Sequence, residues 1–242
     1  MKSVFFVFIF VLFNSQFSGQ DGKFDHSLFD SLLKKYVNED GMVNYEGFRS
    51  DNKFILYLEL LASADLSYLG TEEKLAFFIN AYNAFVIKNV IDHYPISSPK
   101  DVKGFFTDYY FDVAGLKLSL DAIEYEYVLK TEPVLAHFGL VCGAKSCPKL
   151  IRDAYTGDKV ILQLTKNSRT FISTKEKNYL DRENRVLYLS QIFNWSRKSF
   201  ERKYGSLLLT AMALMNFDDK NFLQNNEIEI KFLDYNWELN SQ

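Results

Sequence analysis

At 242 residues, with 48% hydrophobic and 17% aromatic content, the chain is a globular protein able to bury a substantial core. Its net charge of −3, with no basic run longer than Lys34-Lys35 or Arg197-Lys198, excludes the electrostatic footprint of a nucleic-acid partner. No cofactor-binding pattern is present.

Lys2 precedes the apolar run Val4–Phe13, and polar Asn14-Ser-Gln and small Ser18-Gly19 follow. This is the order of a secretory signal, and ten residues are too few to span a bilayer. The expectation is a cleaved signal over residues 1–20, one domain over 21–242, and no stable membrane span after cleavage. The protein is then exported, periplasmic or extracellular.

Helical spacing of Leu28, Phe29, Leu32, Leu33 and Tyr36 predicts a first helix over 24–37, with Asp25 as its cap. Residues 42–45 read as a short strand and 52–64 as a second helix. Thr71 is then placed to cap the dominant helix, with Glu72 and Glu73 favoured by the dipole of its first turn. Apolar residues lie on nearly every face of this helix between Leu75 and Ile87, which makes it the buried centre of the fold. Asn80 and Asn83 are the exceptions. A buried amide without a partner costs several kcal/mol, roughly 2–7 depending on the reference state, so both must be hydrogen-bonded. Either they pin neighbouring loops to the helix, or one of them faces a functional cleft; Tyr82 lies between them.

A hairpin is predicted over 105–118, turning at Ala114-Gly115, and Ser119 can cap a helix carrying Asp121 and Glu124. His137 to Val141 reads as a strand and 159–172 as a helix, followed by a second hairpin framed by 179–181 and 186–189. Further helices are read over 190–204 and 207–217, and an edge strand over 228–233. The expected fold is a single α+β domain with a central buried helix, surrounding helices and a small, mostly antiparallel sheet.

Reactive groups concentrate in His137-Phe-Gly-Leu-Val-Cys142-Gly-Ala-Lys-Ser146-Cys147-Pro148. Pro148 suits the first position of a helix, which would put the Cys147 sulfur at a helix N-terminus and favour its thiolate. Cys147 would then be a nucleophile, His137 its general base, and Glu124, Asn80 or Asn83 the group orienting the imidazole. Cys142 and Ser146 complete the loop, whose amides from Gly143 to Cys147 could stabilise an oxyanion. The substrate class is a small-molecule or peptide-like amide or ester. A second reading stands beside this one. Two cysteines in an oxidising compartment are most simply a disulfide, which makes the site a non-catalytic binding pocket or scaffold. Cys142, Cys147 and His137 lack a fourth zinc ligand, so no metal is expected. Trp195 and Trp237 read as core.

Several segments in order resemble the domain-of-unknown-function 547 family: Lys74-Leu-Ala-Phe-Phe-Ile-Asn-Ala-Tyr-Asn-Ala84, Leu118-Ser-Leu-Asp-Ala-Ile-Glu124 and the His137–Pro148 stretch. Leu189-Ser-Gln-Ile-Phe-Asn-Trp195 follows at the right distance. The closing Tyr235-Asn-Trp-Glu-Leu-Asn240 is similar to the family's ending, with Asn236 where an Asp is usual. The resemblance implies a family and leaves the reaction open.

Overall fold

A computed structural model describes residues 22–242, so the expected signal segment lies outside the described residues. Three helices come first, α1 (Ser27–Tyr36), α2 (Tyr45–Ser50) and α3 (Asn52–Ala62). Short polar side chains cap α2 and α3, whereas α1, expected to be capped by Asp25, has His26 at its cap position and no side-chain cap bond. The Asp25 carboxylate accepts from Ser27 N at 2.8 Å, Asn44 from Gly47 N at 2.8 Å, and Asp51 from Lys53 N at 3.1 Å. The strand predicted over 42–45 shrinks to isolated bridges at Val43, because Tyr45 already belongs to α2.

The dominant helix is α4 (Thr71–Asp92), and every side chain from Leu75 to Ile87 is buried. Its cap is Gly70 rather than Thr71, with no side-chain cap bond. Glu73 has another task. Its carboxylate accepts from Phe24 N at 3.0 Å and Gly157 N at 2.9 Å, tying two distant segments to the first turn. The next hairpin, β1 (Phe111–Val113) with β2 (Leu116–Leu118), turns at Ala114-Gly115, both at positive φ. Residues 105–110, expected to extend it, form turns instead.

Ser119 Oγ accepts from Ala122 N at 3.1 Å and opens three consecutive helical pieces. These are α5 (Leu120–Ala122), a π-helical stretch Ile123–Val128, and α6 (Leu129–Thr131). A π turn inside a helix often marks a functional position, and here it carries Glu124.

The predicted strand at 137–141 is not formed. Leu135–Phe138 is a 3-10 turn, and the chain then runs without regular structure as far as α7 (Val160–Ile172). Pro148 therefore starts no helix, and Cys147 does not sit at a helix N-terminus. The reason lies in hydrogen bonding: this stretch meets its backbone needs with side chains from α4 and α7 and with the chain's last residues, so no ladder forms.

After α7 come β3 (Tyr179–Asp181) and β4 (Val186–Leu189), an antiparallel pair. The helix expected over 190–204 divides at Ser196 into α8 (Gln191–Trp195) and α9 (Arg197–Tyr204). Then α10 (Leu207–Leu214) is followed by α11 (Phe217–Gln224), an unpredicted helix whose Asn216 cap accepts from Asp219 N at 2.9 Å. The edge strand β5 (Glu229–Phe232) pairs with β4 in parallel, making a mixed sheet ordered β3-β4-β5. The fold is a single-domain α+β arrangement in which a larger core surrounds α4 and a second packs Phe138, Phe171, Phe193 and Phe200 together. Among the described residues, no helix is long and apolar enough to cross a membrane.

Candidate functional site

The irregular stretch after His137 is held by buried amides. Asn83 donates to Gly139 O and accepts from Val141 N, both at 2.9 Å. Asn80 donates to Tyr155 O at 2.8 Å and accepts from Tyr155 N at 3.0 Å. From α7, Asn167 donates to Phe138 O and to Lys149 O. Of the two roles weighed for Asn80 and Asn83, these bonds perform the pinning of loops.

The C-terminal segment runs along the cysteine loop. Lys145 N donates to Glu238 O at 2.8 Å, Ser146 N to Asn236 O at 3.2 Å, and Asn236 N to Ser146 Oγ at 2.8 Å. Cys147 N donates to Ala144 O at 3.1 Å. The amides of Lys145, Ser146 and Cys147, expected to await an oxyanion, are therefore committed to protein carbonyls. Gly143 bends the loop at φ +87°, a conformation that glycine adopts without steric cost.

This threading brings Tyr235 to the sulfurs. Cys142 and Cys147 are joined as a disulfide, and the Tyr235 hydroxyl lies 3.3 Å from Cys142 Sγ and 3.2 Å from Cys147 Sγ. Cys142 N donates to Cys147 Sγ at 3.0 Å. Two hydrogen-bond donors thus converge on the Cys147 sulfur. Behind it, the Lys177 ammonium donates to Cys147 O, and burial lowers that ammonium's pKa to about 8.

Both cysteines open on a cavity of about 210 Å³. Tyr82 enters it from α4, Asp121, Glu124 and Tyr125 from the helix after Ser119, and His137 and Leu140 from the 3-10 turn and beyond. Ile192, Trp195, Tyr235 and Trp237 close it from the C-terminal third. The three candidates Cys147, His137 and Glu124, spread over 24 positions, all line this cavity. Asn80, Asn83 and Ser146 do not line it. His137 is half-buried, and its Nε2 is cut off from solvent without a hydrogen-bond partner among the described residues.

Burial dominates the electrostatics. It lifts the Glu124 carboxyl to about 7, helped by the like charge of Asp121 and opposed by a hydrogen bond with Tyr82. Burial also raises Asp121. The His137 imidazole goes the other way, to about 4, despite bonding to the Pro133 backbone and the nearby charge of Glu132. At neutral pH, Glu124 is the group poised between its two protonation states.

Sequence reasoning overlooked Asp121, Tyr125 and Tyr235 and misplaced both tryptophans. Trp195 is 56% exposed and Trp237 is partly buried, so they form the cavity mouth rather than core. Two signals were present: the three-residue spacing of Asp121 and Glu124, and the clustered aromatics of the closing segment.

The family model described as "Protein of unknown function, DUF547" matches residues 66–172. The chain carries a domain of the DUF547 family. The matched DUF547 region contains α4, the π turn, the cysteine loop and α7, and so most of the cavity wall. Tyr235, Trp195 and Trp237 reach the cavity from outside it. Among curated proteins and among solved structures, nothing matches this chain.

Proposed function

We propose that the protein is an exported thiol-dependent hydrolase or transferase acting on an amide or ester, active when the Cys142–Cys147 pair is reduced. The observation that carries this reading is that Cys147, His137 and Glu124 all line one cavity. In the reduced form the Cys147 thiol yields its proton to His137 or to the Glu124 carboxylate, and the sulfur attacks the acyl carbon. The acyl–nitrogen or acyl–oxygen bond breaks, and the leaving group takes up the proton. Water, or a second amine or alcohol, then resolves the thioester. The Tyr235 hydroxyl and Cys142 N–H, both aimed at the Cys147 sulfur, favour its thiolate. Glu124 is better matched than His137 to proton transfer at neutral pH, because a catalytic pKa near the working pH serves both directions of transfer.

The test is iodoacetamide labelling of Cys147 across pH 5–9, before and after reduction with dithiothreitol, together with thioester trapping from p-nitrophenyl esters. Rapid labelling below pH 7 after reduction, slowed by His137→Ala or Glu124→Gln, supports the reading. A reduced Cys147 that labels no faster than a free thiol, with no acyl adduct, sinks it.

The disulfide favours a second reading, a binding module with structural cysteines. Closing a loop of about six residues yields roughly 2 kcal/mol from the unfolded state, so reduction would lower stability measurably without creating any reactive thiol.

A further inference from the structure

We infer that the cavity takes a ligand bearing a primary ammonium group, of the size of a lysine side chain, with the cation seated between the Asp121 and Glu124 carboxylates and the aromatic mouth. The inference rests on the proposed thiol chemistry at the same cavity and names its substrate class, a cationic acyl amide or ester.

Four observations carry it. Asp121 and Glu124 lie three residues apart and both line the cavity, whereas among the described residues no Lys or Arg side chain does. Two desolvated like charges destabilise each other, and a bound cation relieves both. The mouth presents aromatic faces. Tyr125 and Trp195 are each 56% exposed, and the Tyr235 ring lies 4.8 Å from Trp195 and 4.7 Å from Trp237 between centroids. Exposed indole and phenol faces attract ammonium groups through the ring quadrupole, and a tryptophan does so best.

One of these rings already attracts an ammonium of the chain on a face away from the cavity. The Lys100 ammonium sits 4.2 Å above the Trp237 ring, outside the cavity lining. Size is the fourth observation. About 210 Å³ lies below the roughly 300–1,000 Å³ of pockets for drug-sized molecules and suits one long side chain. Carboxylate acceptors further favour an ammonium that still carries N–H donors over a quaternary one.

The two tryptophans of the chain both line this cavity, so tryptophan-selective fluorescence reports on it. The full-length protein is titrated with Nα-acetyl-lysine N-methylamide, its neutral near-isostere Nα-acetyl-norleucine N-methylamide, and the N-methylamide of Nα-acetyl-glutamate. The lysine compound is expected to bind about ten-fold tighter than the norleucine compound, the glutamate compound weakest, and Asp121→Asn to reduce the preference several-fold. Equal or tighter binding of norleucine overturns the inference, as does a lysine compound that leaves the fluorescence unchanged at millimolar concentration. Binding needs no turnover, which separates the two readings. A charge preference without a reactive Cys147 keeps the ligand class and removes the thiol chemistry. Ester turnover with no charge preference does the reverse.

Discussion

Glu124 is a buried carboxyl whose protonation ties stability to pH. Its folded carboxyl is raised from 4.5 to about 7, so the folded state holds a proton that the unfolded chain has released between those values. Stability from this group is therefore full below pH 4.5 and is lost as pH rises through 7. Glu124→Gln removes that titration. The variant's unfolding free energy relative to wild type should increase by about 2–3 kcal/mol between pH 4.5 and pH 8, as read by urea unfolding at both values. A difference that stays flat across this range would show that Glu124 is not held in its raised state. Glu124 was singled out in the sequence by its residue type and its place in a family-like segment, and it lines the cavity with both cysteines. Its near-neutral pKa was not, because the burial that raises it, and the Tyr82 bond that partly opposes the rise, come from packing between α4 and the π turn.

At the scale of elements, the site loop is held by side chains of its neighbours. Asn83 gives one donor and one acceptor to a segment with no ladder of its own, and all the groups involved are buried. Asn83→Ala strands Gly139 O and Val141 N, at a cost of about 2–5 kcal/mol, since each buried unpaired group costs roughly 1–3. Urea unfolding gives the loss, and faster hydrogen exchange at Val141 N locates it; unchanged exchange there would refute the assignment. The helical spacing of α1, α3 and α7 was readable because one apolar stripe per helix is a local property of the sequence, and α4 was readable because it is apolar on nearly every face. The strand expected at 137–141 failed for a converse reason. Its apolar residues are buried by α4 and the second core without any partner strand, and an apolar run of five residues does not say which kind of neighbour will bury it.

For the molecule as a whole, stability is squeezed from both sides of neutral pH, and His26 governs the acid side. His26 is buried under Phe24 and Phe77, with its Nδ1 bonded to the Tyr57 hydroxyl at 2.7 Å. Burial lowers its pKa from 6.5 to about 3, so the unfolded chain takes up a proton that the folded chain refuses. Stability from His26 is complete above pH 6.5 and falls as pH drops toward 3, by about 5 kcal/mol in total. A His26→Gln protein should lose less stability than wild type between pH 6.5 and 4, in parallel urea titrations. An identical loss in both would mean that other groups carry the acid response.

By itself the sequence determined the buried central helix, the need to partner Asn80 and Asn83, the α+β class and the family. Each of these follows from local periodicity, residue chemistry or a contiguous string of residues. It also marked Cys147, His137 and Glu124 as chemically unusual. Only the tertiary structure decided that these three share a cavity with Tyr82, Asp121 and Tyr235, and that the loop amides are already spent. The tryptophans likewise stand at the cavity mouth only because of the fold. These outcomes depend on the C-terminal segment returning across about ninety residues to lie beside the cysteine loop, a long-range pairing that no local pattern encodes.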